Sequence, residues 1–235
     1  MLIRAYSDLH GMLPRIDPCD VLLIAGDVCP IIGEHGVEEQ ASWVRDTFSE
    51  WLAQIPAERI VMTPGNHDFV FETEPVWPDL PAELLIDEAV ELGSEGPTVH
   101  CSPWVPALPN WAFHANDAKL AEAAEAIPTD ADIWLQHGPP YGLLDALWRN
   151  GEHVGNRHTL AALDEKPPQV FICGHIHEAA GFAERAGAMI ANVSFVNEFY
   201  EPQFRHLALE WTAGKLIRRA DREAGPKRLW ETEHQ

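Results

Sequence analysis

The sequence predicts a single α/β domain, on three observations. Short apolar runs recur along the chain, segments of helical periodicity lie between them, and a polar cluster closes most runs. Alternating strand and helix signals argue for sheets covered by helices. Several runs are continuously apolar rather than alternating, as expected of strands buried on both faces.

The elements follow in chain order. Residues 2–6 read as a first strand leading directly into Ser7 and Asp8, and residues 21–25 as a second. A helix is predicted over 37–55, where Val37, Ala41, Val44, Phe48, Trp51, Leu52 and Ile55 recur at helical spacing. Strands at 59–63, 84–86 and 99–102 come next. The Ala-rich stretch 117–127 reads as a helix capped by Asn116 and ended by Pro128. A strand at 133–136 precedes a third helix at 156–165, which stops before Pro167. Strands at 170–173, 189–193 and 205–211 complete the pattern. The Pro-rich stretches 75–81 and 103–109 read as ordered loops within one core, so residues 1–213 are assigned to one domain. Six of the sixteen Lys and Arg residues fall between Lys215 and Arg228, and 214–235 is therefore read as a charged C-terminal tail.

Composition narrows the class. Hydrophobic residues make up 46% and charged residues 23%, ordinary for a globular chain with a sizeable core. No run approaches the roughly 20 apolar residues of a membrane span, and the N-terminus lacks the features of a signal peptide. Cys19, Cys29, Cys101 and Cys173 are scattered without close pairing, which reads as buried free thiols in a cytoplasmic protein. The net charge of −21 disfavours a nucleic-acid polymer as partner, because phosphate binding draws on Lys and Arg. Oligomeric state is left open.

The chemistry sits where apolar runs end. The first strand ends in Ser7-Asp8-Leu9-His10-Gly11, and the second in Gly26-Asp27. The strand at 59–63 ends in Pro64-Gly65-Asn66-His67-Asp68, that at 133–136 in His137-Gly138-Pro139-Pro140, and that at 170–173 in Gly174-His175-Ile176-His177. In α/β sheets the carboxyl edges of strands converge on one crevice, so five such clusters can meet. Asp8 and His10 are two residues apart, as are His175 and His177; in extended backbone each pair would face one way. Imidazole, carboxylate and amide-oxygen donors without thiolates suit Zn, Mn, Fe or similar divalent ions.

This ordered set resembles the calcineurin-like metallophosphoesterases, and the resemblance runs from Asp8 to His177. It implies a four-layer αββα sandwich of two mixed sheets flanked by helices. It also implies two divalent metal ions (Mn, Fe, Zn or a mixture), the first held by Asp8, His10, Asp27 and His177. The second would be held by Asp27, Asn66, His137 and His175, with Asp27 bridging. The implied reaction is in-line hydrolysis of a small phosphate ester by a hydroxide shared between the metals, with His67 as general acid and Asp68 orienting its imidazole. Two divalent ions, two carboxylates and a hydroxide sum to about +1, a local attraction for a phosphodiester.

The segments 137–145 and 174–178, with Cys101-Ser102-Pro103-Trp104 and Trp111-Ala112-Phe113, resemble the metallophosphoesterase-domain subgroup related to cyclic-nucleotide phosphodiesterases. Gly26-Asp27 continues as Val28-Cys29-Pro30, without the Asp-Arg-Gly of Ser/Thr protein phosphatases, which disfavours that activity. A small phosphodiester such as a cyclic nucleotide is the expected substrate. A phosphomonoesterase, a nucleotidase, a nuclease or a metal-binding scaffold with vestigial turnover are the alternatives. Trp104, Trp111, Phe113 and Tyr141 form a candidate aromatic wall. His35, His100, His114, His153, His158, His206 and His234 fit no ligand pattern.

Overall fold

A computed structural model describes residues 1–31, 36–77, 79–106, 108–203 and 206–219. The first sheet contains β1 (Leu2–Tyr6), β2 (Cys19–Ala25), β3 (Ala57–Thr63), β4 (Glu83–Leu84), β13 (Leu207–Thr212) and β14 (Lys215–Arg218). Its order is β14-β13-β1-β2-β3-β4. The second contains β5 (Glu88–Glu91), β6 (Thr98–Ser102), β9 (Ile133–Gln136), β10 (Val170–Cys173), β11 (Gly181–Arg185) and β12 (Ala188–Asn192), ordered β11-β12-β10-β9-β6-β5. A minor pair, β7 (Val105–Pro106) and β8 (His114–Ala115), lies apart.

Both sheets are mixed. β1 runs parallel to β2 and β2 to β3, while β13 joins β1 antiparallel. In the second sheet β6, β9, β10 and β12 are parallel, and β5 and β11 close the edges antiparallel. The sheets pack face to face through alternate residues. Ile3, Ala5, Val21, Leu23 and Val61 of one meet Val99, Ile133, Leu135, Ile172 and Ala191 of the other. Burying each large aliphatic side chain there contributes about 1.5–3 kcal/mol.

The outer faces carry the helices. Leu22, Ile24 and Met62 pack against Val44, Phe48 and Leu52. These belong to one helical segment built from α1 (Val37–Trp43), a wide i→i+5 turn at Val44–Phe48 and α2 (Ser49–Gln54). A short α3 (Phe69–Thr73) follows β3. On the far side, Trp134 and Phe171 pack against Ala124, Ala162 and Leu163 of α4 (Asp117–Ala126) and α5 (Arg157–Glu165). Asn116 caps α4 by accepting from Lys119 N–H at 3.0 Å, and Asn156 caps α5 by accepting from His158 N–H at 2.9 Å. The result is the expected sequence of helices, sheet, sheet and helices.

The structure adds strands that the apolar pattern does not mark: β5, β7, β8, β11 and β14. Lys215–Arg218, read from charge as part of the tail, pair with β13 at the sheet edge, and residues 220–235 lie outside the described residues. His35, Arg205 and His234 also lie outside them. The four cysteines are buried and unpaired. Among the described residues, no helix is long and apolar enough to cross a membrane.

Candidate metal centre

At one edge the two sheets are stitched together. Ser7 N–H donates to Val193 O at 3.3 Å, and Phe195 N–H donates to Ser7 O at 2.8 Å, so the ends of β1 and β12 cross-bridge. The loop after β1 is tied to that after β2 by Asp8 N–H to Gly26 O and His10 N–H to Asp27 O, both at 2.9 Å. Gly174 N–H donates to His137 O at 3.0 Å, tying the loops after β10 and β9. His175 N–H donates to Asp8 Oδ1 and His67 N–H to Asp27 Oδ1, so all five clusters meet at one point.

Two donor groups form there. Asp8, His10, Asp27 and His177 offer ligand atoms within 4.8 Å of one another, as do Asp27, His137 and His175, so Asp27 belongs to both. Within the first, His177 Nε2 lies 3.2 Å from Asp8 Oδ1 and 3.2 Å from His10 Nε2. Within the second, His137 Nε2 lies 3.3 Å from Asp27 Oδ2 and 3.0 Å from Asn66 Oδ1, which adds the amide oxygen to that group. Asp8, Asp27 and His137 are at most 1% exposed.

The ligand turns are left-handed, not extended. Asp8, His10, Asp27 and His175 have φ of 55°, 44°, 54° and 68°. The two-residue spacing of Asp8 and His10 therefore works through a tight turn, which corrects the extended-backbone expectation. Non-glycine residues at positive φ are costly, of order 1–3 kcal/mol where the region is sparsely populated, and such residues cluster at functional sites. Two glycines allow the close approach. A Cβ on Gly65 would lie 2.6 Å from Asp27 N and 2.7 Å from His137 Cε1, and one on Gly174 would overlap the Asp8 carboxylate and the Ser7 hydroxyl.

Outer hydrogen bonds aim the ligands. His137 Nδ1 faces Ala25 O at 2.8 Å and His177 Nδ1 faces Asn197 O at 3.2 Å, so each Nδ1–H donates outward and Nε2 points inward. Asp8 accepts from Ser194 Oγ at 2.8 Å and from His175 N–H at 3.0 Å. Asp27 Oδ1 accepts from His67 N–H at 2.8 Å. Asp68 accepts from Cys29 N–H at 2.9 Å and Gly65 N–H at 2.8 Å, so its carboxylate holds backbone and thereby positions the Asn66–His67 turn. Gln40 secures the same turn, donating to His67 O at 2.7 Å and accepting from Val70 N–H at 2.9 Å. Gln40, Ser194 and Asn197 carry no sequence motif; only their bonds reveal them.

Electrostatics show what the donors do without a cation. Burial alone would raise Asp8 and Asp27, but His177 beside the first and His137 beside the second hold both below the usual carboxylate range. Burial opposes protonation of His137, yet the Asp27 carboxylate outweighs it and pushes the imidazole up to about 9. His177 is raised likewise, burial being overcome by Asp8. Burial pushes His10 and His175 down to about 3, so both are neutral donors. Burial, then the nearby Asp27 charge, raises Asp68 to about 7. His137 at about 9 thus carries positive charge beside Asp27, and Asp8 biases His177 towards its charged form.

One consequence is measurable. A metal needs the His137 Nε2 lone pair, and at pH 7 a group at about 9 carries a proton there. Metal binding at pH 7 is expected to release at least one proton per chain, with affinity rising about tenfold per pH unit per proton towards pH 9. Calorimetry in buffers of different ionisation enthalpy reads this directly. Affinity independent of pH between about 6 and 8 would contradict it.

A cleft of ≈ 380 Å³ opens onto the centre, lined by Asp27, Asn66, His67, His175 and His177 among others. Of the expected aromatic wall only Trp111 lines it, its ring centroid 4.3 Å from that of His67. Phe113 is buried in the core, Trp104 donates to Asp87 Oδ2 at 2.7 Å, and Tyr141 packs under Arg157. Those three correct the sequence expectation: core packing and local hydrogen bonds claim them. The cleft instead gains Trp148, Arg149 and Tyr200. The signal for the first two was an aromatic and a cation in the polar loop Leu147-Trp148-Arg149-Asn150-Gly151, outside any periodic element.

Comparison with known proteins bears on the family and the fold. The family model described as calcineurin-like phosphoesterase matches residues 2–179. The human and mouse proteins named metallophosphoesterase domain-containing protein 1 are each 28% identical over 227 residues, covering 83% of this chain and 66% of theirs. A UPF0046 protein of Caenorhabditis elegans is 26% identical over 218 residues, covering 79% of this chain and 53% of that one. The chain thus spans roughly half to two thirds of these relatives' lengths. Among solved structures, a dimetal phosphatase from Danio rerio superposes with a TM-score of 0.53 at 9% identity, covering 93% of this chain and 95% of that one, a likeness of fold.

Proposed function

The chain belongs to the calcineurin-like phosphoesterase family, and from that membership we propose that it hydrolyses small phosphodiesters, cyclic nucleotides among them, at a two-metal centre. Asp8, His10, Asp27 and His177 would hold one divalent ion, and Asp27, Asn66, His137 and His175 the other. The observation that carries this reading is Asp27, a buried carboxylate shared by both donor groups. The donor chemistry fits Mn, Fe, Zn or a mixture, since imidazole and oxygen donors are present and thiolates are not. Bound there, two such ions supply Lewis-acid charge for phosphoryl oxygens and lower the pKa of water towards about 7.

The protein's own groups do the rest. The tight left-handed turns hold the ligand residues in place, which lowers the reorganisation the reaction requires. On this reading His67, which lines the cleft with Nε2 4.0 Å from Asp27 Oδ2, hands a proton to the departing alkoxide. Asp68 serves as a positioning residue through its bonds to Cys29 and Gly65. Trp111 packs on the His67 ring and shields that side of the cleft. Glu178 and Glu198, together with a net charge of −21, favour a small diester over a polyanion. Four buried free thiols support a cytoplasmic location as part of the same reading.

Protein reconstituted with Mn²⁺, Fe²⁺ or Zn²⁺ is expected to hydrolyse a bis-aryl phosphate and cyclic nucleotides faster than an aryl monophosphate or single-stranded DNA. A chelator should abolish that hydrolysis. Faster turnover of the monoester would make the protein a phosphomonoesterase, and turnover that persists through chelation would remove the metals from the reaction.

A further inference from the structure

Between β9 and α5 the chain leaves the sheet edge, runs outward and returns. Its ends are tied by a bridge between Pro140 and Asn156, with Tyr141 N–H donating to Asn156 O at 3.0 Å. Inside, the fully buried Asp145 accepts from Gly142 N–H at 2.9 Å and Gly155 N–H at 2.8 Å, and faces His153 Nδ1 at 2.6 Å. Near the tip, Leu147 N–H donates to Glu152 O at 2.9 Å and Gly151 N–H to Leu147 O at 2.8 Å. A single carboxylate thus organises a closed loop whose tip residues, Trp148 and Arg149, line the cleft. Trp148 N–H also donates to Glu178 Oε1 at 3.3 Å, anchoring the tip to the residue after His177.

Among the described residues the two tip side chains meet chiefly each other. Trp148 is 59% exposed although its backbone is anchored, leaving a large flat apolar surface in water. The Arg149 guanidinium lies 5.7 Å from the Trp148 ring centroid and forms no ion pair with an acid among the described residues. It is the one Lys or Arg lining the cleft among them, in a chain of 37 acidic and 16 basic residues. Arginine's fork matches the oxygens of a phosphate, and an exposed indole offers a stacking face.

We propose that Trp148 and Arg149 are the specificity-determining residues of this centre, selecting a phosphate ester that carries a flat aromatic group and a single negative charge. Trp148 takes the aromatic group and Arg149 pairs with the anionic oxygens. Glu178 and Glu198 in the same cleft repel esters bearing further phosphates. The proposal rests on the phosphoesterase reading of the cleft, and its test separates the two.

Metal-loaded protein is titrated by calorimetry with phenylphosphonate and methylphosphonate, each as its singly charged monomethyl ester and read by binding alone, and KM and kcat are measured on a bis-aryl phosphate. Trp148→Leu is expected to weaken phenylphosphonate roughly tenfold and methylphosphonate less than about twofold, raising KM with little change in kcat. Arg149→Gln should weaken both ligands roughly tenfold. Metal content and melting temperature should match the wild type in both variants. Equal losses for the two ligands in Trp148→Leu, or no loss in Arg149→Gln, overturn the proposal, as does wild-type protein that binds neither phosphonate. A wild type that shows the expected binding pattern but hydrolyses no ester sinks the phosphoesterase reading while the recognition assignment stands.

Discussion

Asp27→Asn is expected to lower phosphodiester hydrolysis by about 10³-fold and to reduce the metal content from two ions per chain towards one. Asp27 Oδ2 lies 3.3 Å from His137 Nε2 and 3.8 Å from His10 Nε2, so this one carboxylate faces donors of both groups. The amide removes a full negative charge and can turn an N–H pair, rather than an oxygen, towards a cation. The backbone should tolerate it: φ is 54° at this position, and Asn adopts left-handed conformations more readily than most residues. An amide oxygen can still accept the His67 N–H bond now made to Oδ1. The variant therefore isolates charge from fold, and elemental analysis with a melting curve checks both. Near-native turnover in this variant would remove Asp27 from its bridging place.

His67→Asn is expected to cut turnover by about 10²–10⁴-fold while leaving both metals bound. The side chain lines the cleft at 7% exposure, and its T-shaped contact with the His10 ring, centroids 4.6 Å apart, places it beside the first donor group. The contribution of residue 67 to the ligand set is its backbone N–H on Asp27, which the substitution retains. The turn itself stays held by Asp68 and Gln40. A proton donor matters most when the departing alkoxide is basic. The loss should therefore be larger for an alkyl ester than for a nitrophenyl ester, whose leaving group needs little help. Equal and small losses on both substrates would assign His67 a purely structural role.

Much of the architecture was legible because buried strands and amphipathic helices leave strong patterns. The runs ending at Tyr6, Ala25, Thr63, Gln136 and Cys173 are buried central strands, and their apolar continuity marks them. The strands without such a mark are edges. β5 reads Glu-Ala-Val-Glu, β11 Gly-Phe-Ala-Glu-Arg and β14 Lys-Leu-Ile-Arg, and all are largely exposed. Charged side chains guard an edge against further pairing, and they also erase the hydrophobic period. Lys215–Arg218 were read as tail for that reason.

The chain by itself determined the donor set: five clusters of Asp, Asn and His at strand ends, in an order and with glycine neighbours that name the family. Residue type and order are local properties, and local properties are written in sequence. The tertiary structure brought those donors to distances at which Asp27 belongs to both groups, and it alone decided that the turns carrying four of them are left-handed. It likewise gave Asp68 two backbone amides to hold, and lined the cleft with Trp148 and Arg149 in place of Trp104, Phe113 and Tyr141. These depend on distances between residues as far apart as Asp8 and His175, which are 167 positions apart along the chain yet joined by a 3.0 Å hydrogen bond. Such distances exist only once two sheets have packed face to face and brought their strand ends together.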